Sequence, residues 1–415
     1  MDVDVDVHAT ASHSRRSEWP STVDTMRARA IRGALAAALA VCLLAACTPA
    51  APAASSPASP DGPTVVPSPE PRPSRDPAVD AVAAMSITEQ AASVVMGHIS
   101  GTDPAALRAY MQSAPQGAPL GGFILMGGNI GADASQVRAL SDALTLDPGL
   151  PPLIAIDEEG GVVRRLPWDT LPGGRGLHGL DAARTEQVFA QRAALIAETG
   201  ANVNFGIVAD VPADASSFIA SRALGPDPDS ASTRVTAAVD GEEGVVLSTL
   251  KHFPGHGAAP GDSHHSIPTT AMTLQQWQSG ESRPFVAGID AGAELLMFGH
   301  LAYTAVDPAP ASLSARWHEI ARDELGFDGV MITDDLGMLS GSGIAEYQDP
   351  VANAVTALQA GNDMVLMVAG STAQTAPQMV SGIVGAVDDG RLSPDRLRDA
   401  AEHVMRLRMQ LADDR

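Results

Sequence analysis

Residues 251–257, Lys-His-Phe-Pro-Gly-His-Gly, continue as Ala-Ala-Pro-Gly-Asp-Ser-His-His-Ser-Ile-Pro to residue 268 and gather the sole lysine of the chain and four of its 11 histidines on one stretch. Every other basic residue among the 26 is arginine. Arginine is a planar fork and lysine a compact point charge, so a site that needs the smaller donor resists a replacement made everywhere else. In Asp262-Ser263-His264 a carboxylate stands two residues before an imidazole. That spacing lets the carboxylate orient one ring nitrogen and leaves the other for proton transfer. Gly255, Gly257 and Gly261 permit turns that a plain strand-to-helix link does not need, which predicts a mobile loop carrying Asp262 and His264 over a pocket. A metal site built from His252, His256, His264 and His265 is the alternative; it lacks the helical HExxH spacing.

Two further blocks have chemistry-bearing residues at the ends of apolar runs. Residues 329–338, GVMITDDLGM, end a buried strand pattern in Asp334-Asp335. A single carboxylate pressed near substrate suits nucleophilic attack on an anomeric carbon, while paired aspartates could equally bind a divalent cation. Residues 156–167, IDEEGGVVRRLP, place Asp157 at a strand end and Arg164-Arg165 beyond a Gly-Gly turn.

The elements that must position these groups alternate. Short apolar runs occur at residues 93–99, 122–126, 153–157, 201–211, 244–253, 295–301, 329–334 and 363–367. Between them, residues 132–143, 185–199, 273–291, 315–324 and 348–360 carry apolar residues at helical spacing. Eight strand candidates, most followed by a helix candidate, predict an α/β fold of the (β/α)8 TIM-barrel type over residues 78–415, with a doubly wound sheet as the competing architecture. The polar strand ends favour the barrel. Asp157, Lys251-His252, His300 and Asp334 each follow an apolar run, and a barrel collects such groups on its C-terminal rim. No GxGxxG or GxxxxGK[ST] phosphate loop occurs.

Taken together, these blocks resemble the family 3 glycoside hydrolases, and within them the single-domain bacterial β-N-acetylglucosaminidases. The resemblance covers roughly residues 80–410. It rests on KHFPGHG followed by DSH, with GGFILMGGNI at 121–130, SRALG at 221–225, FGHLAYTAVDP at 298–308 and AGNDMVLM at 360–367. It implies that Asp334 is the nucleophile, His264 the general acid/base and Asp262 its orienting partner. Asp157, Arg165, Arg222, Lys251 and His252 would hold the sugar at the cleaved position, with no metal or organic cofactor. Asp335 and His256 are read as supporting residues. The sequence departs from many relatives at Glu158 and Val162, where they carry Gln and Arg, and at Ala258-Ala259, where they carry Asp-Thr. The implied reaction is a retaining hydrolysis of terminal β-linked N-acetylglucosamine on peptidoglycan fragments. A β-glucosidase, a phosphorylase of the same family and a sugar-binding lipoprotein that has lost catalysis are the competing readings.

The rest of the chain bears on where such an enzyme would work. The 415 residues carry 26 basic and 49 acidic side chains, a net charge of −23, which argues against a nucleic-acid partner. Both cysteines, Cys42 and Cys47, lie near the start, so the body has no disulfide, cysteine metal site or thiol nucleophile. Arg27, Arg29 and Arg32 precede an uncharged stretch, residues 33–46, that is too short to span a bilayer and ends in Leu44-Ala45-Ala46-Cys47. This resembles a bacterial lipoprotein box with Cys47 as the acylated residue, and the polar residues 1–25 suggest that translation begins at Met26. Residues 1–47 are thus read as a lipoprotein signal, and residues 48–77, with ten prolines, as an extended tether. The expectation is a monomer on the outer face of the cytoplasmic membrane, held by its lipid because an acidic body does not adhere to anionic headgroups.

Overall fold

The computed structural model describes residues 76–413. Cys47, the leader before it and almost all of the Pro-rich stretch lie outside the described residues. Eight strands alternate with helices: β1 Val95–Gly97, β2 Gly122–Leu125, β3 Leu153–Ile156, β4 Val203–Val208, β5 Leu247–Phe253, β6 Leu295–Phe298, β7 Val330–Thr333 and β8 Val365–Leu366. Each falls inside one of the eight apolar runs. All neighbours pair in parallel and in sequence order, β8 returns to pair with β1 (Val95 opposite Val365), and β7 meets β8 at the Ile332–Met364 bridge. The ring therefore closes, which makes the fold a (β/α)8 barrel and removes the doubly wound alternative, whose sheet would have two open edges.

Alternate residues of the strands fill the barrel: Met96, Ile124, Ala155, Phe205, Leu247, Met297, Ile332 and Leu366 belong to one buried cluster. Val404 and Leu407 of the last helix, Pro394–Asp413, join this cluster. The same helix donates from Arg408 to the carbonyls of Leu150 and Pro151, just ahead of β3, so it covers the end where the strands begin. The opposite end is left for chemistry.

Two packing features support that end. The few aromatic residues are concentrated: Phe253, Trp277, Phe285, Phe298, Tyr303 and Trp317 pack edge to face around β5 and β6. They form a stiff base directly under the 254–268 loop. Part of the acidic excess is also structural, because Asp103, Asp133, Asp181, Asp227 and Asp349 each cap a helix by accepting a backbone N–H at its positive end. The stretch predicted as one helix over 273–291 is two, Leu274–Ser279 and Ser282–Ala291, broken at Gly280. That over 315–324 is helical through Glu319 and then widens into a π turn at Ile320–Glu324.

Candidate active site

The two-residue repeat of a strand decides which polar groups enter the barrel mouth. On β3 the inward phase runs Leu153, Ala155 and then Asp157; on β5 it runs Leu247, Thr249, Lys251; on β7 it runs Val330, Ile332, Asp334. These three groups therefore converge on the barrel axis. Lys251 Nζ donates to Asp157 Oδ1 at 3.0 Å and pairs with Glu159 Oε1 at 2.7 Å. Arg165 donates to Asp157 Oδ2 at 3.0 Å, and Arg222 grips Glu159 with two bonds of 2.9 and 2.7 Å. Two carboxylates and three cations thus hold one another in fixed positions. Burial opposes ionisation of Asp157, but Lys251 and Arg165 override it and lower its pKa to about 2.

Asp334 stands differently. Burial would raise its pKa, yet the nearby His252 and His300 rings, the Asp335 N–H at 2.8 Å and Lys251 hold it below the ordinary value. It is ionised at neutral pH, half-buried and flanked by donors. His252 Nδ1 donates to Asp210 Oδ2 at 2.8 Å, which directs its Nε2 toward Arg222, 3.4 Å away. His300 Nε2 donates to the Asp335 carbonyl at 2.8 Å, so its Nδ1 accepts from Ser312 Oγ at 2.7 Å. The Asp335 carboxylate accepts from the backbone N–H groups of Gly337, Val368 and Ala369. That ties the end of β7 to the end of β8 and gives Asp335 a structural task.

The second titratable pair lies on the loop after β5. His264 Nδ1 donates to Asp262 Oδ1 at 2.6 Å, and the His264 backbone N–H reaches the same oxygen at 3.0 Å. Nε2 is the nitrogen left for a substrate proton. The pair is partly exposed and, among the described residues, makes no hydrogen bond to the Lys251–Asp157 network. It adjoins the deeper histidines through Phe218, whose ring centroid is 6.0 Å from that of His264 and 5.5 Å from that of His256.

The loop glycines differ from expectation in their role. Gly255, at φ 131°, accepts a hydrogen bond at its carbonyl from Tyr303 Oη, and a Cβ on Gly257 would lie 1.8 Å from the Val211 carbonyl oxygen. Trp277 Nε1 holds the Pro254 carbonyl at 2.7 Å, and the His256 N–H holds Asp210. The first half of the loop is therefore clamped, with Gly255 supplying a positive φ and Gly257 a close backbone approach rather than motion. The Lys251–His252 and Phe253–Pro254 peptides are both cis. The four loop histidines do not converge as metal ligands; among the described residues a cluster of that kind occurs at Asp363, Asp399 and His403. There Asp363 is already engaged by Arg322 and Arg396.

All eight residues expected from the sequence lie on this rim, six of them in or against the buried network and Asp262 and His264 on the loop beside it. Glu159, Asp210 and Phe218 were not singled out from the sequence, and His300 was marked only as a polar strand end with no role assigned. Glu159 sits two positions after Asp157, and Asp210 ends the apolar run of β4, so the strand-end argument applied to those positions would have found both. Glu158 is of the opposite phase. It turns away from the axis and accepts from the backbone of Arg165 and Leu166 at 2.7 and 2.9 Å, clamping the 156–167 turn. Burial raises its pKa to about 7 beside Asp169. A protonated Glu158 and a glutamine offer those amides the same oxygen, which accounts for the glutamate here. Because the folded state holds this proton more tightly than the unfolded chain, its contribution is full below about pH 4.5 and declines as pH rises toward 7. Glu158→Gln is expected to gain stability relative to wild type between pH 5 and pH 8, by up to about 3 kcal/mol, in thermal melts at the two pH values. An equal offset at both would contradict it.

The fold and rim define a barrel with a carbohydrate-type site: buried ionised carboxylates, directional donors and an adjacent imidazole acid. Residues 97–407 match the N-terminal domain model of glycosyl hydrolase family 3, and the chain belongs to that family. It is 33% identical over 324 residues to a beta-hexosaminidase from Xanthomonas oryzae pv. oryzae, covering 72% of this chain and 92% of that one. To a beta-hexosaminidase from Pseudomonas aeruginosa it is 37% identical over 257 residues, 60% of this chain and 75% of that one. Among solved structures, a family 3 β-N-acetylglucosaminidase from Paenibacillus sp. superposes with a TM-score of 0.72 at 28% identity, covering 79% of this chain and 63% of that one. A β-N-acetylhexosaminidase from Beutenbergia cavernae gives 0.69 at 26%, covering 79% and 99%.

Proposed function

We propose that the protein is a retaining exo-β-N-acetylglucosaminidase that removes terminal N-acetylglucosamine from peptidoglycan fragments. The observation that carries this reading is the half-buried, ionised Asp334 on the barrel axis, set among His252, His300 and Lys251, with a carboxylate-oriented histidine on the neighbouring loop. The names of the bacterial relatives support the N-acetylhexosamine as substrate.

In this reading an Asp334 oxygen attacks the anomeric carbon as His264 Nε2 gives its proton to the leaving oxygen; the glycosidic C–O bond breaks and an Asp334 ester forms. His264 then takes a proton from water, the water oxygen attacks the same carbon, and the ester opens to regenerate Asp334. Asp262 fixes the His264 ring by holding Nδ1–H, so that Nε2 does both transfers. Asp157, Arg165, Arg222, Lys251 and His252 hold the sugar: the carboxylate and His252 Nε2 accept from hydroxyls, and the cations donate to them.

The lipoprotein box at Cys47 supports an exported, lipid-anchored protein facing wall material. The test is release of free N-acetylglucosamine from purified muropeptides by residues 48–415, beside a chromogenic glucoside, with and without phosphate. Release of the free sugar from muropeptides alone is expected. A sugar phosphate formed only in phosphate buffer would recast the enzyme as a phosphorylase, and cleavage of the glucoside alone would overturn the N-acetyl specificity. For the anchor, Cys47→Ala is expected to move the full-length protein from the membrane fraction to the soluble one; unchanged partition would remove Cys47 from the account.

A further inference from the structure

Four large apolar side chains are exposed among the described residues, and three of them stand on loops that leave the C-terminal ends of the strands: Val162 after β3, Phe218 after β4 and Ile344 after β7. Phe218 is the aromatic member and the one in contact with the site. Its ring lies against His256 and His264, and the Arg222 guanidinium carbon is 5.8 Å from its centroid. Nevertheless 38% of the residue is open to solvent. The segment carrying it is anchored on its C-terminal side: Ile219 is buried immediately after it, and Arg222 is held by Glu159 three residues further on.

We propose that Phe218 is a specificity-determining platform on which the sugar ring of the leaving group stacks. The inference rests on the hydrolase reading above, since it assigns the aglycone side of that same site. Two features favour it over a purely structural role. The ring touches His264, the residue that would protonate the leaving oxygen, so it borders the place where the leaving group sits. The ring is also partly open to solvent beside His264, and the axial C–H face of a pyranose covers an exposed aromatic surface well. The polar network around Lys251 offers nothing comparable to an aglycone, because its donors and acceptors already point at one another and at the barrel axis. A leaving group without a ring gains nothing from Phe218.

The test compares N,N′-diacetylchitobiose, whose leaving group is a sugar ring, with methyl β-N-acetylglucosaminide, whose leaving group is methanol. For Phe218→Ala the expected result is a fall in kcat/KM of about tenfold on the disaccharide and less than about twofold on the methyl glycoside. Phe218→Trp, which keeps an aromatic face, is expected to retain most of the activity on the disaccharide. A loss on the methyl glycoside equal to that on the disaccharide, together with a displaced pH profile, would show that Phe218 only positions the Asp262–His264 loop and would overturn the platform. No loss on either substrate would overturn it as well. Hydrolysis of neither substrate by the wild type would instead bring down the hydrolase reading itself, and the platform with it.

Discussion

Asp334→Gly is expected to lower kcat/KM on an aryl β-N-acetylglucosaminide by at least about 10³-fold, the scale seen when a covalent nucleophile is removed from a preorganised site. The reason lies in what surrounds the carboxylate. His252, His300, the Asp335 N–H and Lys251 keep it ionised despite burial, and no arginine or lysine fork ties both its oxygens in place. The fold should survive, because Asp335, not Asp334, staples β7 to β8; circular dichroism melts check this. Added azide separates chemistry from structure. In the space left by the carboxylate, azide attacks the anomeric carbon from the same face, so part of the activity should return with an α-glycosyl azide as product, identified by NMR. In His264→Ala the nucleophile remains, the covalent intermediate still forms from a good leaving group, and azide should instead yield the β-azide. A β product from the Asp334 variant, or full activity without azide, would remove Asp334 from the nucleophile role.

Glu159→Ala is expected to produce the largest loss of stability of any substitution on the rim. Its side chain is 2% exposed, and it pairs with Lys251, 3% exposed, and with both nitrogens of the Arg222 fork. Burial opposes its charge, but Lys251 and Arg222 pull its pKa below the ordinary value. Without it, two buried cations face each other with Asp157 alone between them and Arg165. Breaking a buried pair in this way costs about 3–5 kcal/mol, which corresponds to a fall in melting temperature on the order of 10 °C. Activity should fall through KM more than kcat, because Lys251 and Arg222 lose their positions for the sugar while Asp334 keeps its histidines. Glu159→Gln, which retains one acceptor oxygen, should fall between the two. A melt within a degree of wild type for Glu159→Ala would show that the network is not held by this charge.

The sole lysine illustrates how far residue type alone can reach. Its persistence in a chain otherwise free of lysine marked Lys251 as a candidate for a site needing a compact donor, and its two carboxylate partners in the barrel mouth give that donor a task. The glycines of the following loop were less legible. A glycine needed for a hinge and one needed for close approach look identical in sequence, and only the 1.8 Å separation between a Gly257 Cβ and the Val211 carbonyl distinguishes them. Likewise Gly280 and the π turn at Ile320–Glu324 interrupt helical periodicity that continues unbroken in the residue pattern.

The architecture and the inward-facing groups were written in local patterns. Strand runs, the two-residue phase that turns Asp157, Lys251 and Asp334 to the axis, helix-capping aspartates and the Asp262–His264 spacing depend on neighbours a few residues apart, where the geometry of the backbone leaves little choice. Closure of the ring, the Asp210 hold on His252 across 42 residues and the Lys251 bond to Asp157 across 94 depend on which strands become neighbours. The same holds for the seating of Phe218 against His256 and His264. Chain topology brings these residues together, and a burial energy shared by the whole barrel, with no single spacing to mark it, determines which of them touch.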